Sequence, residues 1–318
     1  MSNENNQNSD GQFSAFEGKL PGVGILFKDT WDLYTSRFKT SFLLQLLNIA
    51  VWVVAGLVAI GLGYWLQKDP TNPGTIIISV LIGLVFVVAV IAYSIWVQGA
   101  QIFVYDLPAG EVGLQKALHK SKAFIRSLFI VIILQGLVTF GAFALLVIPG
   151  IIMSVFLVFS TYFALLDHKQ GLNALLASKE YVKGYWWPVF GRIIVLILVA
   201  IGVSIVVSIF TKILDASGAN GAGDILNYLV SLATAPFYVA FSYVLFKQFK
   251  TLKADIEVPN TGRSMMIGLA IFAPIAMILV IVGVVWAAQT GLLPLDKGKF
   301  IDAQGKAVPV EYRSGQSE

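Results

Sequence analysis

The stretch FLLQLLNIAVWVVAGLVAIGLGYWL, residues 42–66, holds no charged side chain. A helix needs about 20 mostly apolar residues to cross a hydrocarbon core roughly 30 Å thick, and this run supplies them. Polar and apolar residues do not alternate along it, as they would in a membrane barrel strand. In lipid such a backbone satisfies its own hydrogen bonds only as a helix. The reading is therefore an all-α, membrane-spanning chain, and the composition agrees. Of 318 residues, 57% are hydrophobic and 13% charged, whereas soluble domains carry about 25% charged residues. A soluble fold of this size has no interior large enough for so much apolar surface. Cysteine is absent, which excludes disulfides, thiolate metal sites and a cysteine nucleophile.

Six further segments meet the same test: 76–104, 128–147, 149–166, 189–214, 225–247 and 265–290. The expected fold is a polytopic transmembrane helix bundle of about seven spans. The segment 76–104 exceeds one straight crossing and should tilt or project. The polar head, 1–20, reads as a disordered cytoplasmic tail with no cleavable signal, leaving targeting to the first span. A six-span domain over 21–247 follows, then a cytoplasmic linker at 248–263, a seventh helix at 264–292 and a short extracytoplasmic tail at 293–318. In that tail, FID and AVPVEY flank the turn-like AQGK and suggest a small hairpin, which alone is marginal in water and so would be disordered or docked on the bundle.

Basic residues orient the set. The segment before span one, and the connections two to three, four to five and six to seven, together hold sixteen lysines and arginines. The alternate connections hold two, Lys68 and Lys212. By the positive-inside rule, the N-terminus and the four basic segments are cytoplasmic, at the plasma membrane. An odd number of spans then puts the C-terminus outside, although its four basic residues oppose that weakly.

Three of the basic segments share a pattern. LFKDTWDLYTSRF (26–38), ALHKSKAFIRSLF (117–129) and ALLASKEYVKGYW (174–186) place apolar or small residues at positions 1, 2, 5, 8, 9, 12 and 13, with Arg37 the exception. At about 100° per residue these positions share one helical arc. The expectation is three repeated amphipathic helices at the cytoplasmic interface. Their arcs face lipid or the bundle, while Lys120, Lys122, Arg126, Lys179 and Lys183 face water and anionic headgroups. Trp186 and Trp187 sit where indoles favour the headgroup boundary, and Pro188 is expected to break the helix before span five. The hydroxyl at the fifth position (Thr30, Ser121, Ser178) reads first as a small packing residue bonding back to a carbonyl of its own helix, and second as a substrate ligand.

From Leu146 to Gly191 the chain reads LVIPGIIMSVFLVFSTYFALLDHKQGLNALLASKEYVKGYWWPVFG. An apolar span, Ile-Pro-Gly, a second span, an acidic turn, then Gly-Leu-x-Ala-Leu-x-x-Ser with tryptophan after it, resembles the membrane domain of some glycerophosphoryl diester phosphodiesterases. It also resembles stand-alone bacterial multi-pass proteins that share the motif without an established activity. The likeness is clear over about 50 residues, is suggestive over 21–247, and implies architecture. The phosphodiesterases carry a separate catalytic barrel. A barrel needs about 250 residues, and no soluble segment here approaches that, so the activity is not carried over.

Searching for chemistry yields little. The two histidines, His119 and His168, lack metal-ligand spacing; the first reads as solvated surface and the second as part of a helix end. No Gly-x-Ser-x-Gly elbow, phosphate loop or His-Glu-x-x-His occurs. GAGD at 221–224 reads as a turn. The spans carry no ionisable residue away from their ends, which disfavours a proton- or sodium-driven carrier. Their polar residues are Gln45, Asn48, Gln98, Gln101 and Gln135. These either bond helix to helix or line a polar cavity. Pro149, Pro236 and Pro274 kink helices or mark their ends, and Ala200, Ser204 and Ser208 have close-packing spacing. No cofactor, metal or nucleic-acid partner is expected. The favoured reading is a non-enzymatic, lipid-interacting or membrane-organising bundle, with membrane lipids, a membrane protein or a second copy as partner. The alternative is a permease or channel for a small neutral or amphiphilic solute.

Overall fold

The computed structural model describes residues 20–69, 71–218, 221–253, 260, 262–290, 300–301 and 307–308. The first helix, α1 (Val23–Lys68), runs 46 residues without interruption, about 69 Å at the helical rise and more than twice the hydrocarbon thickness. No glycine or proline lies between Gly24 and Gly56, so the amphipathic segment 26–38 and the first span form one rod. Helix α2 (Pro73–Asp106) opens with Pro73 at its first position and the Asn72 side chain accepting from the Gly74 N–H at 2.9 Å. A short 3-10 turn, Ala109–Glu111, leads to α3 (Leu114–Lys122) and α4 (Ile125–Leu145).

A single extended residue, Leu146, joins α4 to α5 (Val147–Phe156), where Pro149 sits in the tolerant first turn. The fourth span is then broken: residues 157–159 leave the helix before α6 (Ser160–Leu166) begins. Next come α7 (Leu172–Val182), α8 (Trp186–Ala216), α9 (Ala222–Leu252) and α10 (Arg263–Gln289). Counting α5 and α6 as one, seven segments among the described residues are long and apolar enough to cross a membrane. The expected all-α bundle is thus observed, and α9 continues past the domain boundary expected at 247. A two-residue antiparallel pair, β1 (Phe300–Ile301) and β2 (Ala307–Val308), sets Phe300 opposite Val308 in the tail. Residues 302–306, where the turn is expected, and the head 1–19, expected to be disordered, lie outside the described residues.

The core sits at one end of the bundle. It joins the last part of α2 to α3, the α5–α6 span, α7 and the second half of α9 through Phe103, Phe159, Phe163, Phe246 and Phe249. Away from it the helices are exposed on most of their surface: of α8, only Val189 and Arg192 are buried. Helix α10 lies on α4, where a side chain at Gly141 would overlap the Leu269 carbonyl. Glycine is required for that approach.

The three basic segments resolve in a specific way. Their first positions (Leu26, Ala117, Ala174) and fifth positions (Thr30, Ser121, Ser178) are all fully buried, so this part of each arc faces the bundle, not lipid. Their backbones differ. The first runs straight into its span, the second breaks at Ala123 and Phe124, and the third ends at Val182. Pro188 does not make that last break. It lies in the first turn of α8, and the chain turns instead at Gly184, whose φ of +85° favours glycine.

Candidate functional site

At the core end, cations bind helix C-termini. The α1 residue Arg37 donates to the carbonyls of Val104 (2.6 Å) and Leu107 (2.5 Å), where α2 finishes. After α9, Lys253 donates to the carbonyls of Glu180, Tyr181 and Lys183, where α7 finishes, at 2.8–3.1 Å. The last carbonyls of a helix lack intrahelical donors and carry the negative end of its dipole, so a cation suits both places. Burial lowers the Lys253 pKa from its ordinary value, with Glu180 opposing that shift and Lys183 adding to it.

One carboxylate ties three helices. Asp106 meets Lys120 of α3 at 3.5 Å and Lys247 of α9 at 3.2 Å, and accepts from the Tyr243 hydroxyl at 3.2 Å. Asp167, just past α6, pairs with Lys250. Each of these lysines also covers a ring: Lys120 lies 4.6 Å from the centre of Phe103, Lys247 5.4 Å from Tyr243, Lys250 6.0 Å from Phe246 and Lys253 5.2 Å from Tyr185. Each ammonium thus lies against an aromatic ring as well as against its oxygen partners. Arg192 of α8 donates to Pro21, and the Lys179 amine lies against Gly262. All four basic segments therefore meet at one end of the molecule.

Below that end, hydroxyls hold backbone carbonyls, one of them at a break. Ser178 donates to the Phe156 carbonyl at 2.7 Å and accepts from the Phe159 N–H at 3.1 Å, closing both sides of the break in the fourth span. Ser121 donates to the Trp96 carbonyl at 2.8 Å, and Thr30 bonds back to Leu26 at 2.7 Å. Three tyrosines bracket Pro236 in α9. Tyr34 donates to Ala233 at 2.7 Å, Tyr105 to Pro236 at 2.9 Å and Tyr162 to Val239 at 3.3 Å.

Beside the break is a cavity of about 550 Å³. Its polar wall is Gln98 from α2, Gln135 and Thr139 from α4, Thr161 and Tyr162 from α6, and Tyr238 and Ser242 from α9. Ile132, Val158 and Val239 supply apolar wall. No charged residue lines it, and Gln98, Gly136 and Tyr238 are exposed at its rim. Counting the helical rise, Gln98 lies about 12 Å along α2 from Asp106, and Gln135 about 14 Å along α4 from Arg126.

The residues singled out from sequence are thus divided. Gln98 and Gln135 meet at the cavity. Gln101 is buried instead, donating to the Tyr105 hydroxyl at 3.4 Å with its own oxygen unpartnered. Gln45 and Asn48 are half-buried on α1, outside the cavity. Lys120 is engaged by Asp106, and Lys183 pairs with Glu180 at 3.2 Å. Lys122 and Arg126 are exposed with no ion pair among the described residues. Trp186 stacks on Phe190 at 4.8 Å and donates to the Ile152 carbonyl at 3.3 Å, whereas Trp187 is 74% exposed. His119 is exposed; His168 has a φ of +54° and stacks on Phe124 at 5.1 Å. Sequence reasoning missed Asp106, Thr139, Thr161 and Ser242. Thr139 follows Gln135 by one helical turn, and that pairing was a usable signal. No family model, curated protein or solved structure matches the chain.

Proposed function

We propose that the chain is a multi-pass bundle of the cytoplasmic membrane, without catalytic activity, that interacts with lipid and organises its surroundings through the basic end. The observation that carries this reading is the surplus of cations there. Asp106 and Asp167 engage Lys120, Lys247 and Lys250, while Lys39, Lys122 and Arg126 remain exposed without ion pairs among the described residues. An anionic leaflet is the natural counter-surface for such groups. Exposed Trp31 and Trp187, near the starts of α1 and α8, suit the headgroup boundary. The sixteen-to-two distribution of basic residues orients this end to the cytoplasm. The likeness to the phosphodiesterase membrane domain is part of the same proposal, and extends to architecture alone. So does a shared origin for the three basic segments, supported by the common burial of their first and fifth positions.

Native mass spectrometry of protein released from membranes containing phosphatidylglycerol tests the reading. A basic residue near an anionic surface contributes about 1 kcal/mol, so Lys122→Gln with Arg126→Gln should reduce bound phosphatidylglycerol roughly tenfold or more. Lys179→Gln with Lys183→Gln should act in the same direction. Unchanged lipid retention in both double variants would refute the proposal. A second reading, a permease or channel for a small neutral or amphiphilic solute, is favoured by one observation: Gln98 and Gln135 meet in a cavity beside a broken span. Solute flux into proteoliposomes, abolished by closing the cavity with Thr139→Trp, would select it.

A further inference from the structure

We propose that the cavity between α2, α4, the α5–α6 break and α9 binds the uncharged, hydroxyl-bearing head of a membrane amphiphile. This deepens the lipid-interacting reading and rests on it. The first argument is unmet hydrogen bonding. The side chains of Gln98, Gln135, Thr139, Thr161 and Tyr238 make no hydrogen bond among the described residues. In hydrocarbon, amides and hydroxyls left without partners are costly.

The second argument is a contrast within the chain. Helical hydroxyls elsewhere commonly bond back to the carbonyl four residues earlier: Ser79 to Thr75, Ser94 to Val90, Ser204 to Ala200 and Thr234 to Val230, at 2.8–2.9 Å. Thr139 and Thr161 do not, so their hydroxyls are free for a guest. Two carboxamides supply donors and acceptors together, and hydroxyls supply either. Tyr162, whose proton is directed to Val239, is already met by the Ser242 hydroxyl and completes the wall beside them.

The ligand's charge and shape follow from the walls. With no cation or carboxylate in the lining, an ionised head would enter the cavity uncompensated. The matching group is a neutral one bearing adjacent hydroxyls, such as the glycerol end of a diacylglycerol. The volume lies within the range that holds small ligands. The exposed rim at Gln98, Gly136 and Tyr238 leaves room for acyl chains to leave toward the lipid-facing surfaces of α2, α4 and α9. A free polyol shares the same head chemistry but has no chains to place there.

The test uses the full chain in phosphatidylcholine nanodiscs, with a trace of diacylglycerol bearing an acyl-chain diazirine. A phosphatidic acid with the same acyl chains is the charged comparison. The diacylglycerol should crosslink to peptides covering 132–139 and 238–242, and the phosphatidic acid several-fold less. Gln98→Leu with Gln135→Leu should lower that labelling about tenfold or more, the loss expected for one or two hydrogen bonds. If that variant does not fold, the near-isosteric pair Thr139→Val and Thr161→Val gives the same readout. Lys122→Gln with Arg126→Gln should leave it unchanged. Equal labelling by the two probes, or labelling indifferent to the cavity substitutions, overturns the assignment. Displacement of the probe by free glycerol, with no need for acyl chains, would assign the cavity to a soluble polyol and also overturn it. Retained binding of phosphatidylglycerol at the basic end would show that only this inference had failed, and its loss with labelling intact would strike the other proposal alone.

Discussion

Ser178 is a small residue with a large structural duty. Its one hydroxyl serves a carbonyl and an N–H that the break in the fourth span leaves without helical partners. Ser178→Ala should therefore destabilise the fold by about 1–3 kcal/mol, the cost of orphaned buried polar groups, measured as thermal unfolding in detergent. Ser154, which only bonds back to Ile151, is the control, with Ser154→Ala expected within about 0.5 kcal/mol. Lys253 makes a different prediction. Its pKa is lowered in the fold, so the folded chain binds that proton less tightly than the unfolded chain. Stability from this group rises as pH is raised from the folded pKa toward the ordinary lysine value. The stability difference between the natural chain and Lys253→Met should grow in favour of the natural chain over that window, and a falling difference would refute the assignment. The sequence exposed the hydroxyls at 30, 121 and 178 by their shared position, and the back-bond expected of them is found at Thr30, but not the partners of Ser121 and Ser178. Those partners lie 22 residues away for Ser178 and 25 for Ser121, beyond any local pattern.

The spans were legible because hydrophobic length is a local property, and residues 42–66 or 265–290 announce themselves unaided. The interruption at 157–159 was not legible. Residues there, Leu157, Val158 and Phe159, are apolar and helix-compatible, and the break persists because Ser178 of α7 satisfies it from outside. Likewise Pro188 read as a breaker, yet proline is tolerated in a first turn, and Gly184 carries the left-handed residue that redirects the chain. The docking of α10 on α4 includes one close backbone approach. Gly141→Ala would drive a methyl into the Leu269 carbonyl. The helix should shift outward at a cost of about 1–3 kcal/mol, visible as faster hydrogen exchange along 263–276 and little change in α7.

Orientation follows from charge and is open to direct labelling, since the chain has no native cysteine. Gly110→Cys and Lys122→Cys place thiols at exposed positions near the basic end; Thr71→Cys and Ser217→Cys place them at turns on the other side. A membrane-impermeant maleimide added to intact cells should modify the second pair and spare the first until the cells are opened. The opposite pattern would invert the topology. Only two of the seven polar residues of the candidate site could be anticipated, because Gln98 and Gln135 stand out in an oily sequence. Their meeting, with Thr161 and Ser242, depends on how four helices cross, and no single segment encodes that. The unbroken α1 has a mechanical consequence. Between Gly24 and Gly56 the rod has no residue that favours a kink, so a thinner bilayer that leans this part of the span would also swing Arg37 against the end of α2. Through that lever, leaflet thickness on one side becomes strain in the carbonyl clasp on the other.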